Sequence, residues 1–551
     1  MKKLYYLLIM VMIFSYSCKR DGQKEKIISW MEYDESEEIK NLMDHPIPRM
    51  RFKRIQPFSD LKQNLLIPFQ RELSSFGYEK YQHVKPFVLE KSILELQDLV
   101  SQRKLSYYEL TLFYLYRIYH YETNPEKYLN AVISLNPNVL QQARDRDKKR
   151  RKEKMHPLYG MPILLKDNIN TSNMPTTAGA AVLETNIPPK DAFITQKLND
   201  VGALILGKTN LSEWAYYFCN GCPLGYSYIG GQSLNPYGRK IFETGGSSSG
   251  SGTAIAANFA VAAIGTETSG SILSPSSKNA LVGLKPTIGS VSRRGIIPIS
   301  STLDTAGPMA KNVIDAAILM SAISEYDSLD EYSYISEPID YQHLENTSLR
   351  GVRFGLINAF ANDSLIQDAV QKIENVQGHV IQINPPQVEF QQFLKILDVD
   401  MKIDLPDYLT RFVSDNIEVK MIDDIVAFNE KDSIRYAPYN QSIFREIMTD
   451  TLTKIQFEID KNRIMSEAVR YFQEPMQTHE LDVILSMNNY SAAYAAAAHY
   501  PALTIPIGFN HQGEPFNITL IAPSKKEQEL FDIGAAFERI SKHREPPKDY
   551  P

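Results

Sequence analysis

Cysteine is scarce in this sequence, and its scarcity excludes several kinds of site. The 551 residues include three cysteines, Cys18, Cys219 and Cys222. No second pair accompanies Cys219 and Cys222 to complete a four-ligand zinc site. A redox C-x-x-C would stand where a strand meets a helix in a thioredoxin-like unit, and the flanking residues do not predict one. We therefore expect Cys219 and Cys222 to be structural, either free or disulfide-linked.

A surplus of positive charge is also absent. The chain carries 59 Lys and Arg against 65 Asp and Glu, which gives a formal net charge of −6. A mildly acidic balance gives no reason to expect nucleic acid as a partner. The composition is 43% hydrophobic and 23% charged, which is typical of a globular protein with a large core.

The N-terminal apolar run is too short to span a bilayer. Lys2 and Lys3 precede an apolar stretch over residues 4–14, whose length is that of a signal peptide rather than a transmembrane helix. Ser15-Tyr16-Ser17-Cys18 follows and resembles a bacterial lipobox. We therefore expect residues 1–17 to be a signal peptide. Cys18 would then become a lipid-modified N-terminus that anchors the protein to a membrane of the cell envelope, outside the cytoplasm. A plain secretory signal with an incidental cysteine is the alternative.

The remaining sequence predicts an α/β protein. Residues 18–88 are polar and interrupted by proline, as expected of a lipidated tether followed by an extension on the main body. Over residues 89–545 strand-like and helix-like segments alternate, which favours a central mixed β-sheet flanked by helices on both faces. Capping boxes at Ser92 and Ser106 predict two helix starts. Further predictions are strands over 161–165, 203–206, 352–357, 379–383, 483–485 and 503–507, helices over 193–201 and 254–263, and a helical insertion over about 387–477.

Two glycine- and serine-rich segments carry the densest chemical signal. Residues 245–252 read Gly-Gly-Ser-Ser-Ser-Gly-Ser-Gly, in which glycine lets other groups approach the backbone and serine supplies hydroxyls. The Gly-Lys-Ser/Thr ending of a phosphate-binding P-loop is missing. Residues 265–271, Gly-Thr-Glu-Thr-Ser-Gly-Ser, form a polar turn that ends on a serine. Successive N–H groups in such a turn can form an oxyanion hole.

Lys166 stands at the end of the apolar strand predicted over residues 161–165. One interpretation is a lysine that reaches solvent or pairs with Asp167. The other is a lysine whose pKa is lowered by burial until it can act as a base.

These segments together are similar to the amidase-signature family. The Leu-Lys-Asp-Asn strand end, the two serine segments, residues 283–287 and residues 300–308 occur in the family's order. The similarity covers about residues 92–544, is strongest over 160–310, and resembles the branch that contains bacterial peptide amidases. It implies the amidase-signature fold and hydrolysis of a carbon–nitrogen amide bond in a small-molecule or peptide amide. No metal or organic cofactor is implied, and the oligomeric state is not predicted.

The resemblance also assigns roles to individual residues. Ser271 matches the nucleophile, Lys166 the general base, and Ser247 the bridging serine that follows a cis peptide bond. Ser247 and Ser271 are 24 residues apart, as in the family. Ser247 would pass a proton from Ser271 to Lys166. The backbone N–H groups that match the oxyanion hole are those of Thr268, Ser269, Gly270 and Ser271.

Two departures from the family pattern bear on substrate preference. Leu273 replaces a frequent arginine, which disfavours acidic substrates, and Ser269 replaces a common glycine or acidic residue. The pocket walls are expected to come from distant segments such as 387–477 and 486–499.

Three rival interpretations remain open. Residues 246–250 match G-x-S-x-G, the nucleophile elbow of an α/β-hydrolase-like esterase, in which Ser248 would be the nucleophile. The preceding residues 241–244 make a poor strand for such an elbow. A catalytically inactive, lipid-anchored binding protein could keep the fold without the chemistry. The A subunit of a tRNA-dependent amidotransferase conflicts with export, because aminoacyl-tRNA is cytosolic.

Overall fold

The computed structural model describes residues 27–149 and 155–551. The predicted signal peptide and Cys18 lie outside these residues. Within the described ranges, no helix has both the length and the apolar character needed to cross a membrane.

A large mixed sheet forms the centre of the molecule. The described residues contain the following strands: β1 (Val132–Leu135), β2 (Pro162–Lys166), β3 (Leu204–Thr209), β4 (Tyr226–Ser227), β5 (Gly231–Gln232), β6 (Ala262–Glu267), β7 (Val282–Lys285), β8 (Thr305–Ala310), β9 (Arg353–Ile357), β10 (His379–Ile383), β11 (Val483–Met487), β12 (Ala502–Phe509) and β13 (Pro515–Ile521). Eleven of them pair in the order β1-β3-β2-β6-β8-β7-β12-β13-β11-β9-β10, and β4 and β5 form a separate pair.

Parallel pairing near one side of the sheet brings distant chain segments to the same edge. Strand β2 lies between β3 and β6 and is parallel to both, with Leu165 opposite Ile264. Strands β6, β8, β7, β12 and β13 then follow in antiparallel pairs. Because parallel strands end at the same edge of a sheet, the last residues of β2 and β6 are neighbours. Lys166 ends β2 and Glu267 ends β6.

Helices surround this sheet. Their bounds are α1 (Ser36–Leu42), α2 (Leu61–Asn64), α3 (Gln70–Val84), α4 (Ile93–Ser101), α5 (Tyr107–Glu122), α6 (Val139–Lys149), α7 (Phe193–Asp200), α8 (Ser249–Ala256), α9 (Leu273–Lys278), α10 (Val313–Ile323), α11 (Ser364–Asn375), α12 (Phe393–Arg411), α13 (Ile422–Glu430), α14 (Ser433–Tyr436), α15 (Ser442–Thr449), α16 (Lys454–His479), α17 (Ala492–Ala497) and α18 (Glu527–Ser541). Both predicted capping boxes are present: Ser92 caps α4 and Ser106 caps α5.

The two faces of the sheet pack into separate cores. Val483 and Leu485 of β11 belong to one buried cluster, while Ile484 between them belongs to another. Successive side chains of a strand point to opposite faces, so the two clusters cover opposite sides of the sheet. The second cluster takes most of its members from residues 393–500, the segment that includes α12 to α17 and their connecting loops. The predicted α/β class, with a mixed sheet flanked by helices, is therefore confirmed.

The helix predicted over residues 254–263 is wrong. The helix in this region is α8, which begins inside the glycine–serine segment and ends at Ala256, and residues from Ala262 onward form β6. Asn258, with a φ of 57°, turns the chain between them. Ala262 and Ala263 are fully buried in the sheet, where packing outweighs the helix propensity of alanine.

The N-terminal extension packs on the main body. The carbonyl oxygen of Ile55 accepts hydrogen bonds from Gln232 N at 2.8 Å and Asn130 Nδ2 at 2.9 Å. The ammonium group of Lys62 forms a buried ion pair with Glu122 at 3.3 Å. Residues before position 89 therefore share polar contacts with the sheet-containing part of the chain.

Candidate active site

Lys166 is fully buried where β2 ends. Its Nζ donates to Ser247 Oγ at 2.7 Å, to Thr266 Oγ1 at 2.8 Å and to the Thr266 carbonyl oxygen at 3.1 Å. Burial lowers the pKa of Lys166 from 10.5 to about 7, although the negative charges of Asp304 and Glu267 oppose the shift. A lysine with this pKa has a substantial neutral fraction near pH 7 and can accept a proton.

Ser247 follows two glycines that lie close to neighbouring segments of the chain. The Gly246–Ser247 peptide bond is cis, and the Ser247 side chain is fully buried. A Cβ on Gly245 would lie 2.7 Å from the backbone of Ser274 and Pro275, and a Cβ on Gly246 would lie 2.7 Å from Ser212 Oγ. Both positions therefore require glycine.

The turn that carries Ser271 follows β6 directly. Glu267, the last residue of β6, accepts hydrogen bonds through Oε2 from Ile272 N at 2.7 Å and Leu273 N at 3.0 Å. Burial raises the pKa of Glu267, and its backbone hydrogen bonds oppose that rise. The carboxylate thus fixes the turn over residues 268–271, in which Gly270 has a φ of 85°. Ser271 itself is 9% exposed.

The two serine segments are joined by a backbone hydrogen bond. Ser248 N donates to the Ser271 carbonyl oxygen at 3.2 Å. The structure therefore brings Lys166, Ser247 and the Ser271 turn to one edge of the sheet, although the segments lie far apart in sequence. The oxyanion-hole assignment stays a prediction.

Ser248 has a different environment from Ser271. It is fully buried, its Oγ donates to the Thr266 carbonyl oxygen at 3.0 Å, and it accepts from Thr266 N at 3.2 Å. Both hydrogen bonds attach the glycine–serine segment to β6. Since the hydroxyl is occupied by the backbone, this geometry disfavours the nucleophile-elbow interpretation.

A cavity of about 470 Å³ opens beside the serine segments. Asn168, Thr266 and Thr268 line it next to Lys166, residues 293–301 form one wall, and Asp404 and Tyr408 of α12 form another. The predicted wall from residues 387–477 is therefore present. Residues 486–499 do not line this cavity; Asn489 and Ala492 instead pack against Gly270.

Three polar residues at the site were not assigned a role from the sequence. Thr266 bonds Lys166 and also accepts from Asn168 Nδ2 at 3.0 Å. Asp304 accepts from Thr268 Oγ1 at 2.5 Å, and Glu267 holds the turn. All three belong to the motifs that carry the resemblance. Their position at or beside the ends of apolar strands was the available signal.

Leu273 and the cysteine pair lie in the hydrophobic core. Leu273 is 1% exposed and lies in the second hydrophobic cluster. Cys219 and Cys222 are disulfide-bonded and belong to the same cluster. Phe218 beside them packs edge-on against Phe444 of α15. The disulfide therefore belongs to a loop that packs against the helical layer.

Comparison with known proteins identifies the family. The profile of the Amidase family matches residues 109–531. The chain belongs to this family.

Three proteins to which this amidase is similar carry amidase names. A probable amidase of Arabidopsis thaliana is 32% identical over 483 residues, which cover 84% of this chain and 92% of the relative. An amidase family protein from Bacillus anthracis str. Ames has a TM-score of 0.85 and 36% identity over 90% of this chain and 99% of its own. The peptide amidase of Stenotrophomonas maltophilia has a TM-score of 0.77 and 34% identity over 83% and 98%. The predicted family, fold and enzyme class are thus confirmed.

Proposed function

We propose that this amidase cleaves its substrate through a serine acyl-enzyme, with Ser271 as nucleophile, Ser247 as proton relay and Lys166 as general base. The observation that carries the proposal is the 2.7 Å contact between Lys166 Nζ and Ser247 Oγ. The lysine is fully buried, and its lowered pKa lets the neutral amine take a proton. The backbone hydrogen bond from Ser248 N to the Ser271 carbonyl oxygen, at 3.2 Å, supports the assignment of Ser271 as the partner of this pair.

The proposed reaction has two stages, the acylation of Ser271 and the hydrolysis of the resulting ester by water. Ser271 Oγ attacks the amide carbonyl carbon while its proton passes to Ser247, whose own proton passes to Lys166. The carbonyl oxygen becomes an oxyanion, for which the N–H groups of the 268–271 turn are the proposed donors. The C–N bond then breaks, and the leaving nitrogen takes a proton back along the same relay. Water attacks the resulting ester, which releases the acid and restores Ser271.

Paired serine substitutions test the mechanism. Ser271→Ala should abolish amide hydrolysis and labelling by a fluorophosphonate, because it removes the nucleophile alone; triads of this kind lose on the order of 10⁴-fold or more in kcat. Ser248→Ala serves as the matched control and should keep its labelling. Circular dichroism confirms that both variants fold. Labelling that survives Ser271→Ala and disappears in Ser248→Ala would establish the elbow mechanism instead.

We propose peptide amides or amino-acid amides as the substrate class. The similarity to the Stenotrophomonas peptide amidase supports this choice, and a cavity of about 470 Å³ has room for a small amide rather than a long chain. Ammonia release is measured from a panel of peptide, fatty and aryl amides. Release from peptide or amino-acid amides supports the proposal, whereas release from fatty or aryl amides alone refutes it.

We also propose that Cys18 carries a lipid and holds the enzyme in the cell envelope. The supporting observation is the Ser15-Tyr16-Ser17-Cys18 sequence after a short apolar run. Mass spectrometry of the N-terminal peptide should show a lipid-modified cysteine, and Cys18→Ala should release the protein from membranes. An unmodified N-terminus beyond residue 18 would refute lipidation.

A further inference from the structure

One end of the active-site cavity carries carboxylates without a basic partner. Asp304 and Asp404 line the cavity, and Asp400 lies behind them on α12. Their hydrogen-bond donors come from the 299–302 loop and from Thr268. Asp404 accepts from Ser301 N at 2.6 Å and Asp400 from Thr302 N at 3.2 Å. Asp304 accepts from Ile299 N at 2.8 Å, Ser300 N at 3.0 Å and Thr268 Oγ1 at 2.5 Å. Within residues 27–149 and 155–551, none of these three carboxylates forms a salt bridge.

The arginines of the same cavity are already neutralised. Arg293 forms a two-pronged pair with Asp330, with contacts of 2.6 and 3.1 Å. Arg294 pairs with Asp327 at 2.8 Å, and Arg411 pairs with Asp407 at 2.9 Å. Because each arginine has its own carboxylate, none of the three forms an ion pair with Asp304 or Asp404.

The carboxyl groups of Asp404 and Asp304 both have raised pKa values. Burial, together with the charges of Asp400 and Asp304, raises the pKa of Asp404 to about 7, and the hydrogen bond from Ser301 N opposes the rise. Burial also raises the pKa of Asp304, although Thr268, two backbone N–H groups and the charge of Arg293 oppose the rise. A bound cation would remove this penalty, since an opposite charge favours the ionised carboxylate.

A separate observation also indicates a ligand with N–H donors. Asn168 lines the cavity and is 3% exposed. Its Nδ2 donates to Thr266 and Ile297, whereas its Oδ1 is buried without a hydrogen-bond partner among the described residues. A buried acceptor without a donor is costly. The rings of Tyr408 and Phe412 line the same cavity, and aromatic faces attract cations.

We infer that the substrate is a cationic amide, whose ammonium or guanidinium group binds at Asp304 and Asp404 while an N–H group reaches Asn168. This inference rests on the proposed function, and it narrows the substrate class within the peptide and amino-acid amides. The charge can come from a free α-amino group or from a basic side chain, and both present the same chemistry to the carboxylates.

Matched amides separate charge from shape. N-acetyl-arginine amide and N-acetyl-citrulline amide have nearly the same shape but differ by one positive charge. Leucine amide and N-acetyl-leucine amide compare a charged with a neutral α-amino group, and this pair differs also by the bulk of the acetyl group. At least one charged member should have a kcat/KM about tenfold or more above its neutral partner, because hydrogen bonds to charged groups contribute about 1.5–3 kcal/mol. The pair that shows the preference identifies the source of the charge.

Asp404→Asn tests the residue itself. This variant keeps an acceptor for Ser301 N and removes the charge, so kcat/KM for the charged amide should fall more than kcat/KM for its neutral partner, and the ratio of the two should approach one. Asp415→Asn is the control, because Asp415 is exposed, does not line the cavity, and loses the same charge. Equal kcat/KM values for both pairs in the wild type, or an undiminished preference in Asp404→Asn, overturn the inference.

Failure of the proposed function and failure of the inference about charge give different results. If no amide in the series is hydrolysed, the proposed function fails. Calorimetric binding of the same amide pairs to the Ser271→Ala protein then still decides the cation preference. Tighter binding of a charged amide supports the inference, and equal binding refutes it.

Discussion

Lys166 can act as a base only in its neutral form, which gives the reaction a pH dependence. Its pKa is lowered by burial from 10.5 to about 7, so the neutral fraction grows as the pH rises through this value. With N-acetyl-leucine amide, which has no titrating group of its own, kcat/KM should rise from pH 6 and level off about one unit above pH 7. A rise of kcat/KM only near the ordinary lysine pKa would contradict a buried, neutral base. The charges that face Lys166 and oppose the shift are those of Asp304 and Glu267.

At the scale of single residues, the sequence assigned catalytic candidates but not the residues that hold them. Ser247, Ser271 and Lys166 could be assigned because the family motif names them. Thr266 and Glu267 lie in the same motif, yet Thr266 contacts Lys166 through the pairing of β2 with β6, and Glu267 bonds the turn that follows β6. The unpaired state of Asp404 was not predictable, since it depends on which arginines of the cavity already have partners.

The start of α5 allows a test at the scale of one element. Ser106 Oγ accepts from Glu109 N at 3.1 Å, and the Glu109 carboxylate accepts from Ser106 N at 3.3 Å. Ser106→Ala should reduce the free energy of unfolding by about 1 kcal/mol, with kcat/KM unchanged because the cap is not part of the active site. Urea denaturation and steady-state kinetics measure the two quantities. Ser101→Ala, at the C-terminal end of the preceding helix α4, is the control and should lower the free energy of unfolding by less. An equal loss in both variants would show that the Ser106 cap does not stabilise α5.

Helices and strands were predictable where one sequence signal, a capping box or an apolar run, dominated. The capping boxes located α4 and α5, and strands β2, β3, β9, β10, β11 and β12 fall on predicted apolar runs. The helix predicted over the alanine-rich residues 254–263 is wrong because this stretch has no cap of its own. Helix α8 starts within the glycine–serine segment, and the last alanines belong to β6. Sequence propensity alone could not show that small side chains are needed between β2 and β8.

The attachment of the N-terminal extension is a property of the whole molecule, and Lys62 contributes a buried ion pair to it. Lys62 Nζ lies 3.3 Å from Glu122 and 4.0 Å from the centre of the Trp30 ring, all in the interior. Lys62→Ala leaves the Glu122 charge buried without a cation, which should cost about 3 kcal/mol or more of unfolding free energy. Denaturation measures the loss, and limited proteolysis should cut the extension sooner.

Two further variants serve as controls for this prediction. The double change Lys62→Met with Glu122→Gln removes both charges and should recover part of the loss. Lys91→Ala breaks an exposed pair with Glu95 and should cost about 0.5 kcal/mol or less. If Lys62→Ala costs no more than Lys91→Ala, the buried pair does not anchor the extension.

The order of strands in the sheet has a consequence for synthesis on the ribosome. Strands β1 to β3 and β6 to β8 form one block of the large sheet and β9 to β11 another, and β12 and β13 lie between the two blocks in the sheet order. A nascent chain that has reached residue 501 therefore holds two half-sheets, with β7 and β11 presenting bare edges that invite pairing with other chains. Translation must supply residues 502–521, which form β12 and β13, before those edges close, so the unfinished polypeptide needs chaperone protection.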